Sequence, residues 1–311
     1  MKNFNNVLTR FMITVLSLVM VLGFMAPIAV SGQSEEPITF TDMADRDITL
    51  DEPADEIVVL QPSNAEILYA IGAGDTIVGR GEYVDYPVEE VEDIPTVGTG
   101  ENTNIEEIIA LNPDIVITTT MGQAEDQLSQ LEVAGITVIV TDAFSIAEVY
   151  EAIELLGLIV GHNEEAEQVI MDMQTTFDEY TKMADESEIE NASVYYEISP
   201  LEFGLWTGGK NTFMDEIGAM LNLENIFVDV EGWAEVSEEQ VLERTPDYII
   251  TTTMPYDGMD PVEEILNRVG WDEVTAVKEG NVLQANSDEF TRPGPRLAEA
   301  VKTLYNFVHG E

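Results

Sequence analysis

The stretch LNPDIVITTT, Leu111 to Thr120, returns almost unchanged as RTPDYIITTT, Arg244 to Thr253. NIEEIIAL leads into the first copy, and SEEQVLE stands at the same offset before the second. In the first copy Ile105, Ile108, Ile109 and Leu111 lie at helical spacing, Asn112-Pro113 follows, and Ile115-Val116-Ile117 comes next. A helix has to stop near the residue before a proline, and a short run of β-branched residues suits a buried strand. One helix-strand unit is therefore built twice.

Outward from the first copy, IVVLQPSNAEILYAIGAGDTIVG (from Ile57) reads as a strand from Ile57 to Leu60, a loop at Pro62-Ser63-Asn64, and a helix from Ala65 to Ile71. Gly72 and Gly74 end that helix before a second short strand. AGITVIVTDA, Ala134 to Ala143, adds another strand after another helix. Beyond the middle of the chain the alternation resumes with SVYYEIS, a helix over Phe213 to Met220, the repeat strand Tyr248 to Thr252, and NVLQA near Asn281. Such alternation predicts mainly parallel sheets covered by helices.

Between the copies runs one long helical stretch. Asn163 is placed to cap it, Glu164 and Glu165 suit its first turn, and Ala166, Val169, Ile170, Met173, Phe177 and Tyr180 form one apolar stripe. No Pro or Gly interrupts it before Ser187. The expected architecture is α/β: two Rossmann-like lobes, residues 38–160 and 192–311, joined by a single interdomain helix over 163–187. Such a linker resists bending far more than flexible strands do.

Composition limits the function. The 311 residues are 45% hydrophobic, enough for a sizeable core. Acidic residues number 61 against 12 basic, a formal charge of −49, and the acids alternate with apolar residues instead of forming a tail. Nucleic acid is disfavoured as a partner, because phosphate contacts need clustered Lys and Arg. The acidic shell fits adaptation to high salt, where repulsion between carboxylates is screened within about 3 Å at 1 M; an ordinary acidic secreted protein is the alternative.

Lys2 and Arg10 precede an apolar run that closes on Pro27 and the small residues Ala29, Ser31 and Gly32. Residues 1–32 read as an export signal, or as an uncleaved membrane anchor given the length of the run. Either way the remainder faces outward. The sequence holds no cysteine, hence no disulfide, no thiolate metal site and no lipid-modified Cys after the signal.

Open α/β sheets present ligands at loops beyond their strand ends. Here those loops carry aromatics: Tyr83 and Tyr86 in GEYVDYP, Trp206 in FGLWTGGKN, Trp233 in VEGWAEVS and Phe290 in SDEFTRPGPR. Each alone is compatible with loop packing; together they predict a large, flat, apolar ligand. Few cations stand among the candidate cleft loops, namely Arg80, Lys210, Arg292 and Arg296. That supply fits a nearly neutral or cationic ligand better than an anionic chelate.

Enzyme signatures are weak. GLWTGGKNT resembles a phosphate-binding loop, but Asn211 stands where the magnesium-binding Ser or Thr belongs and no clear buried strand leads into it. His162 adjoins the helix start and His309 the chain end, leaving no nucleophile-base pair or histidine metal cluster.

The fragments VLQPSNAEILYAIGAGDTIVG, EYVDYP, NIEEIIALNPDIVI, NIFVDV, EVSEEQVLERTPDYII and SDEFTRPGPRL, in that order, resemble the cobalamin-binding branch of the ABC-importer substrate-binding proteins whose lobes are joined by one helix. The similarity runs from Ile57 to the C-terminus. It implies a non-catalytic, rigid bilobal protein, monomeric when free and without a cofactor of its own. Such a protein captures a corrinoid, siderophore or haem-like metal chelate and delivers it to an ABC permease dimer with its ATPase subunits. The resemblance carries pocket roles onto Tyr83, Trp206, Trp233, Asp288 and Arg292, with Phe290 in the same loop as the last two. Asp288 and Arg292 would hydrogen-bond ligand amides, or else pair with each other to brace their loop. One departure is TVGTGENTN, which lacks the tryptophan that the cobalamin binder has before its first repeat helix. The resemblance also implies that Glu106 and Glu239, at equivalent starts of the two repeat helices, dock onto the permease; Glu107 and Glu238 leave the register open by one residue. A ferric-siderophore or haem binder is the alternative within the class. An extracellular metal-dependent or chelate-modifying enzyme is the alternative outside it.

Overall fold

The structure is a computed structural model that describes residues 37–120, 125–189, 192–255 and 258–310; the predicted signal or anchor lies outside the described residues. The described residues form the strands β1 (Ile38–Thr41), β2 (Asp47–Leu50), β3 (Ile57–Val59), β4 (Ile77–Arg80), β5 (Ile115–Thr118), β6 (Thr137–Val140), β7 (Ala192–Glu197), β8 (Leu205–Gly208), β9 (Leu223–Asn225), β10 (Trp233–Val236), β11 (Tyr248–Thr251) and β12 (Val282–Gln284). The parallel sheet of the first lobe runs β4-β3-β5-β6, and that of the second β9-β7-β11-β12. The doubled text is the same strand, β5 or β11, in two sheets of matching order.

The repeated Pro-Asp has a structural cause. The helices α3 (Ile105–Leu111) and α8 (Glu238–Arg244) both end on a residue in the left-handed region, Asn112 at φ 51° and Thr245 at φ 39°. The following Asp114 donates its N–H to Glu56 O and accepts from the N–H groups of Asp55 and Glu56. Asp247 does the same beside β7: its N–H goes to Ser193 O, and its carboxylate accepts from Ser193 N–H and Oγ–H. In each lobe one aspartate thus closes the start of the neighbouring strand.

Side chains alternate across both sheets. Ile57, Val59, Ile115 and Ile117 face one way, and Val194, Tyr196 and Ile250 likewise, all into one continuous apolar core. Val58 and Val116 face the opposite side, as do Tyr195 and Ile249, into two smaller clusters. Burial on both faces explains why the strands read as unbroken apolar runs.

The helices α5 (Ile146–Val160), α6 (Asn163–Asp185) and α12 (Leu297–His309) contribute to the continuous core. The strut α6 buries Ala166, Ile170, Met173 and Phe177, on the predicted stripe. Its N-cap is His162, without a side-chain cap bond, so Asn163 is the first helical residue and not the cap. Chain termination of α5 accounts for this: Gly161 takes φ 75° and His162 N–H returns to Gly157 O, which fixes the turn without Asn163.

A second correction concerns α1 (Pro62–Ala70). The helix starts at Pro62, so Pro62-Ser63-Asn64 is its first turn and not a loop. Proline suits that place because its missing N–H would have had no intrahelical partner.

Candidate functional site

Between the sheet ends lies a cavity of about 790 Å³. Its first-lobe wall is the start of α1 and the ends of β5 and β6; its second-lobe wall comes from the turn after β7, the β8-β10 ribbon and the turn after α11 (Ser287–Thr291). This is where an open parallel sheet offers a ligand site.

The ribbon sets the aromatics. β8 and β10 pair antiparallel with Trp206 opposite Glu235 and Gly208 opposite Trp233, which puts Trp206 and Trp233 on one face in diagonal register. Both line the cavity, and Trp206 is 42% exposed. The Trp233 ring meets Phe213 edge-on at 5.2 Å between centroids. Gly208 lets the Trp233 ring pack close, since a Cβ there would lie 3.0 Å from it. Phe144 and Ile198 extend the apolar wall.

Arg292 also lines the cavity, and its guanidinium is paired with three carboxylates. Nη1 donates to Glu66 at 2.9 Å and to Asp85 at 2.8 Å, and Nη2 pairs with Asp288 at 3.0 Å. Arg296 donates to both oxygens of Glu66, at 2.8 and 2.6 Å, and lies 4.3 Å over the Tyr86 ring. Burial works against charge on both arginines, yet the carboxylates around them hold their pKa values above the usual range. The result is a clasp: Glu66 on α1 and Asp85 on the loop after β4 grip the segment between α11 and α12. Asp288 and Arg292 do brace one another, within this larger cluster.

The remaining expected residues fall in different places. Tyr83 is 64% exposed on the loop that also carries Asp85, outside the cavity lining. Phe290 corrects the expectation: it is 0% exposed, in the continuous core, because the short turn of α11 directs its ring inward. Of the other cleft cations, Arg80 is occupied by the carbonyls of Val84, Val91 and Ile94. Two cavity residues, Asp142 and Glu231, are acids. Glu66, Asn64 and Thr141 were missed; the available signal was a lone acid in the apolar helix SNAEILYA facing two arginines four residues apart.

The stretch Gly204–Thr212 holds β8 in its first half, and a 3-10 turn at Leu201–Phe203, not a strand, leads into it. Two of its backbone donors and that of the next residue are already paired: Gly209 N–H bonds Gly232 O at 2.8 Å, Lys210 N–H bonds Val230 O at 2.7 Å, and Phe213 N–H bonds Phe144 O at 2.7 Å. A phosphate cradle needs such N–H groups unpaired. Among the described residues no group of three or more His, Cys, Asp or Glu is disposed to hold a metal ion.

Glu106 and Glu239 are both exposed, each the second residue of its repeat helix. Their neighbours are engaged: Glu107 accepts from Asn104 Nδ2 at 3.2 Å, and Glu238 accepts from Trp271 Nε1 at 2.7 Å.

Two α/β lobes on one long helix, with an aromatic-walled cleft between them, define a helix-linked (class III) binding-protein fold. The chain belongs to the periplasmic binding protein family, whose profile matches residues 57–289. It is 37% identical over 277 residues to the uncharacterized ABC transporter substrate-binding lipoprotein YvrC of Bacillus subtilis (strain 168), covering 88% of this chain and 86% of that one. It is 35% identical over 257 residues to the vitamin B12-binding protein of Salmonella paratyphi A, covering 81% and 90%. Among solved structures, the periplasmic vitamin B12-binding protein BtuF of Vibrio cholerae superimposes with a TM-score of 0.68 at 28% identity, over 83% of this chain and 97% of that one. A possible iron-binding protein from Staphylococcus epidermidis superimposes with a TM-score of 0.71 at 30% identity, over 83% and 100%.

Proposed function

We propose that this protein is the extracytoplasmic substrate-binding component of an ABC importer and that it captures a corrinoid, without catalysis of its own. The observation that carries this reading is the cavity itself: Trp206, Trp233, Phe213 and Phe144 offer apolar faces, while the one guanidinium among the described lining residues, Arg292, is neutralised by three carboxylates. A flat, amide-rich chelate without net negative charge matches that wall; haem propionates or an anionic ferric siderophore would meet Asp142 and Glu231 with no unpaired cation among the described lining residues to offset them. The relatives named for vitamin B12 support the same choice.

In this reading, residues 38–160 and 192–311 are the lobes and residues 1–32 are the export signal or an anchor. The Bacillus relative is a lipoprotein, whereas this sequence has no cysteine to carry a lipid, so attachment would rest on the N-terminal apolar run. Glu106 and Glu239 serve as docking contacts, one per lobe, each meeting one subunit of a two-fold permease dimer. The engagement of Glu107 and Glu238 supports that register.

The test mixes the purified protein with cyanocobalamin, haem and a ferric hydroxamate at about 1 M salt and follows the colour through gel filtration. Co-elution of cyanocobalamin alone is expected; exclusive co-elution of haem or the hydroxamate would overturn the ligand assignment. Glu106→Arg with Glu239→Arg should abolish capture of the cognate permease in a pull-down and leave cyanocobalamin affinity unchanged. Undiminished capture by that variant would return both glutamates to a helix-start role.

A further inference from the structure

The first turn of α1 opens on the cavity, since Pro62, Ser63 and Asn64 all line it. Asn64 is 1% exposed. Its Oδ1 accepts from Thr141 Oγ1 at 2.8 Å, which fixes the rotation of the amide, and its Nδ2 has no hydrogen-bond partner. A buried amide donor left unmade is destabilising, and folded proteins keep such groups rarely. The surrounding backbone adds to the same polarity. No side chain caps this helix, and the N–H groups of its first turn have no intrahelical carbonyl to meet. Asn64 Nδ2 therefore belongs to the first turn, at the positive end of the helix dipole, and is suited to an electron-rich atom.

The charge around the turn decides what that atom belongs to. Asp142 and Glu231 share the cavity, Glu66 lies two residues along the same helix, and Arg292 is already paired. A carboxylate would enter a field dominated by acids. A carboxamide brings the acceptor without the charge, and its own NH2 gives a donor for the acidic wall.

We infer that the start of α1 is a carboxamide subsite: Asn64 Nδ2 donates to the carbonyl oxygen of a primary amide on the ligand, and the site selects amides over carboxylates. Asn64 is the specificity-determining residue, and Thr141 positions it. The assignment rests on the corrinoid reading, because a corrin ring carries such amides on its rim.

The test titrates dicyanocobinamide, whose rim bears carboxamides, and dicyanocobyrinic acid, whose rim bears carboxylates, into the full chain and two variants. Asn64→Leu removes the donor at nearly constant volume without adding charge, and leaves the Thr141 hydroxyl the Thr118 carbonyl as acceptor; Thr141→Val keeps the donor and removes its orienting hydroxyl. Wild type should prefer the amide form by about 10-fold or more, because a site built around a donor rejects a mismatched group strongly. Asn64→Leu should lose most of that preference through weaker cobinamide binding, and Thr141→Val should lose a smaller part, each with an unchanged circular dichroism spectrum. If Asn64→Leu does not fold, the Thr141→Val titration decides. Equal affinity of wild type for the two forms, or undiminished cobinamide binding by the variants, overturns the subsite while the corrinoid reading stands. Failure of wild type to bind either corrinoid overturns that reading and the subsite with it.

Discussion

Replacing Glu66 with alanine should show how much the clasp between the lobes contributes to stability. The Glu66 side chain is 2% exposed and receives three N–H bonds, one from Arg292 and two from Arg296. Without it, Arg292 keeps Asp85 and Asp288, but Arg296 keeps only Asp288 at 3.6 Å and the face of Tyr86. Removing one partner of a buried ion pair costs about 3–5 kcal/mol. The remaining partners of Arg292 put the expected loss at the low end, about 3 kcal/mol, and at roughly 2–4 °C per kcal/mol for a chain of this size Tm should fall by roughly 6–12 °C. Thermal and denaturant unfolding of Glu66→Ala, Arg296→Met and the double variant would measure it. The double variant should lose less than the sum of the singles, because removing both partners leaves no orphaned charge. High salt should leave the difference in place, since screening acts weakly on a buried pair. A fall in Tm of less than about 2 °C, or strict additivity, would refute the clasp.

The aromatic ribbon makes a separate prediction: Trp206→Ala and Trp233→Ala should each weaken cyanocobalamin binding by about 1–3 kcal/mol in calorimetric titration, with the fold intact. Unchanged affinity in both would mean that the tryptophans only pack the ribbon. A pH-dependent effect is expected at Glu216 on α7 (Phe213–Met220), which accepts Ile146 N–H at the start of α5 at 2.7 Å. Burial, together with repulsion from Asp215 and Glu148, raises its pKa above the ordinary 4.5 despite that bond. The folded chain therefore holds a proton that the unfolded chain has released as pH rises above 4.5, and stability from this group, full below that pH, is lost as pH climbs through the folded value. Glu216→Gln should gain on wild type in Tm across that rise, and parallel Tm curves for the two proteins would contradict the assignment.

The duplicated LNPDIVITTT and RTPDYIITTT carried most of the fold, because proline, aspartate and the apolar run act locally: stop a helix, close a strand start, fill a sheet. The clasp was not legible, since Arg292 finds Glu66 and Asp85 only when chain segments more than 200 residues apart meet. Phe290 was misjudged for a related reason: five residues of helix carry too little periodicity to reveal which face turns inward. Asn64 escaped notice because Pro-Ser-Asn serves equally as a loop and as a helical first turn. The two ribbon tryptophans were visible as aromatics away from any periodic stripe, but their shared face follows from a strand register that pairs Trp233 with a glycine.

The corrinoid assignment is tested most directly by tryptophan fluorescence. The chain has three tryptophans: Trp206 and Trp233 line the cavity, and Trp271 is fully buried in the second lobe against Arg268. Titration with cyanocobalamin should quench the emission saturably, and Trp206→Ala should lower both the starting emission and the affinity. Haem and a ferric hydroxamate at matched concentrations should leave only the linear decrease expected of light absorption. Saturable quenching by haem or the hydroxamate, with none by cyanocobalamin, would contradict the account.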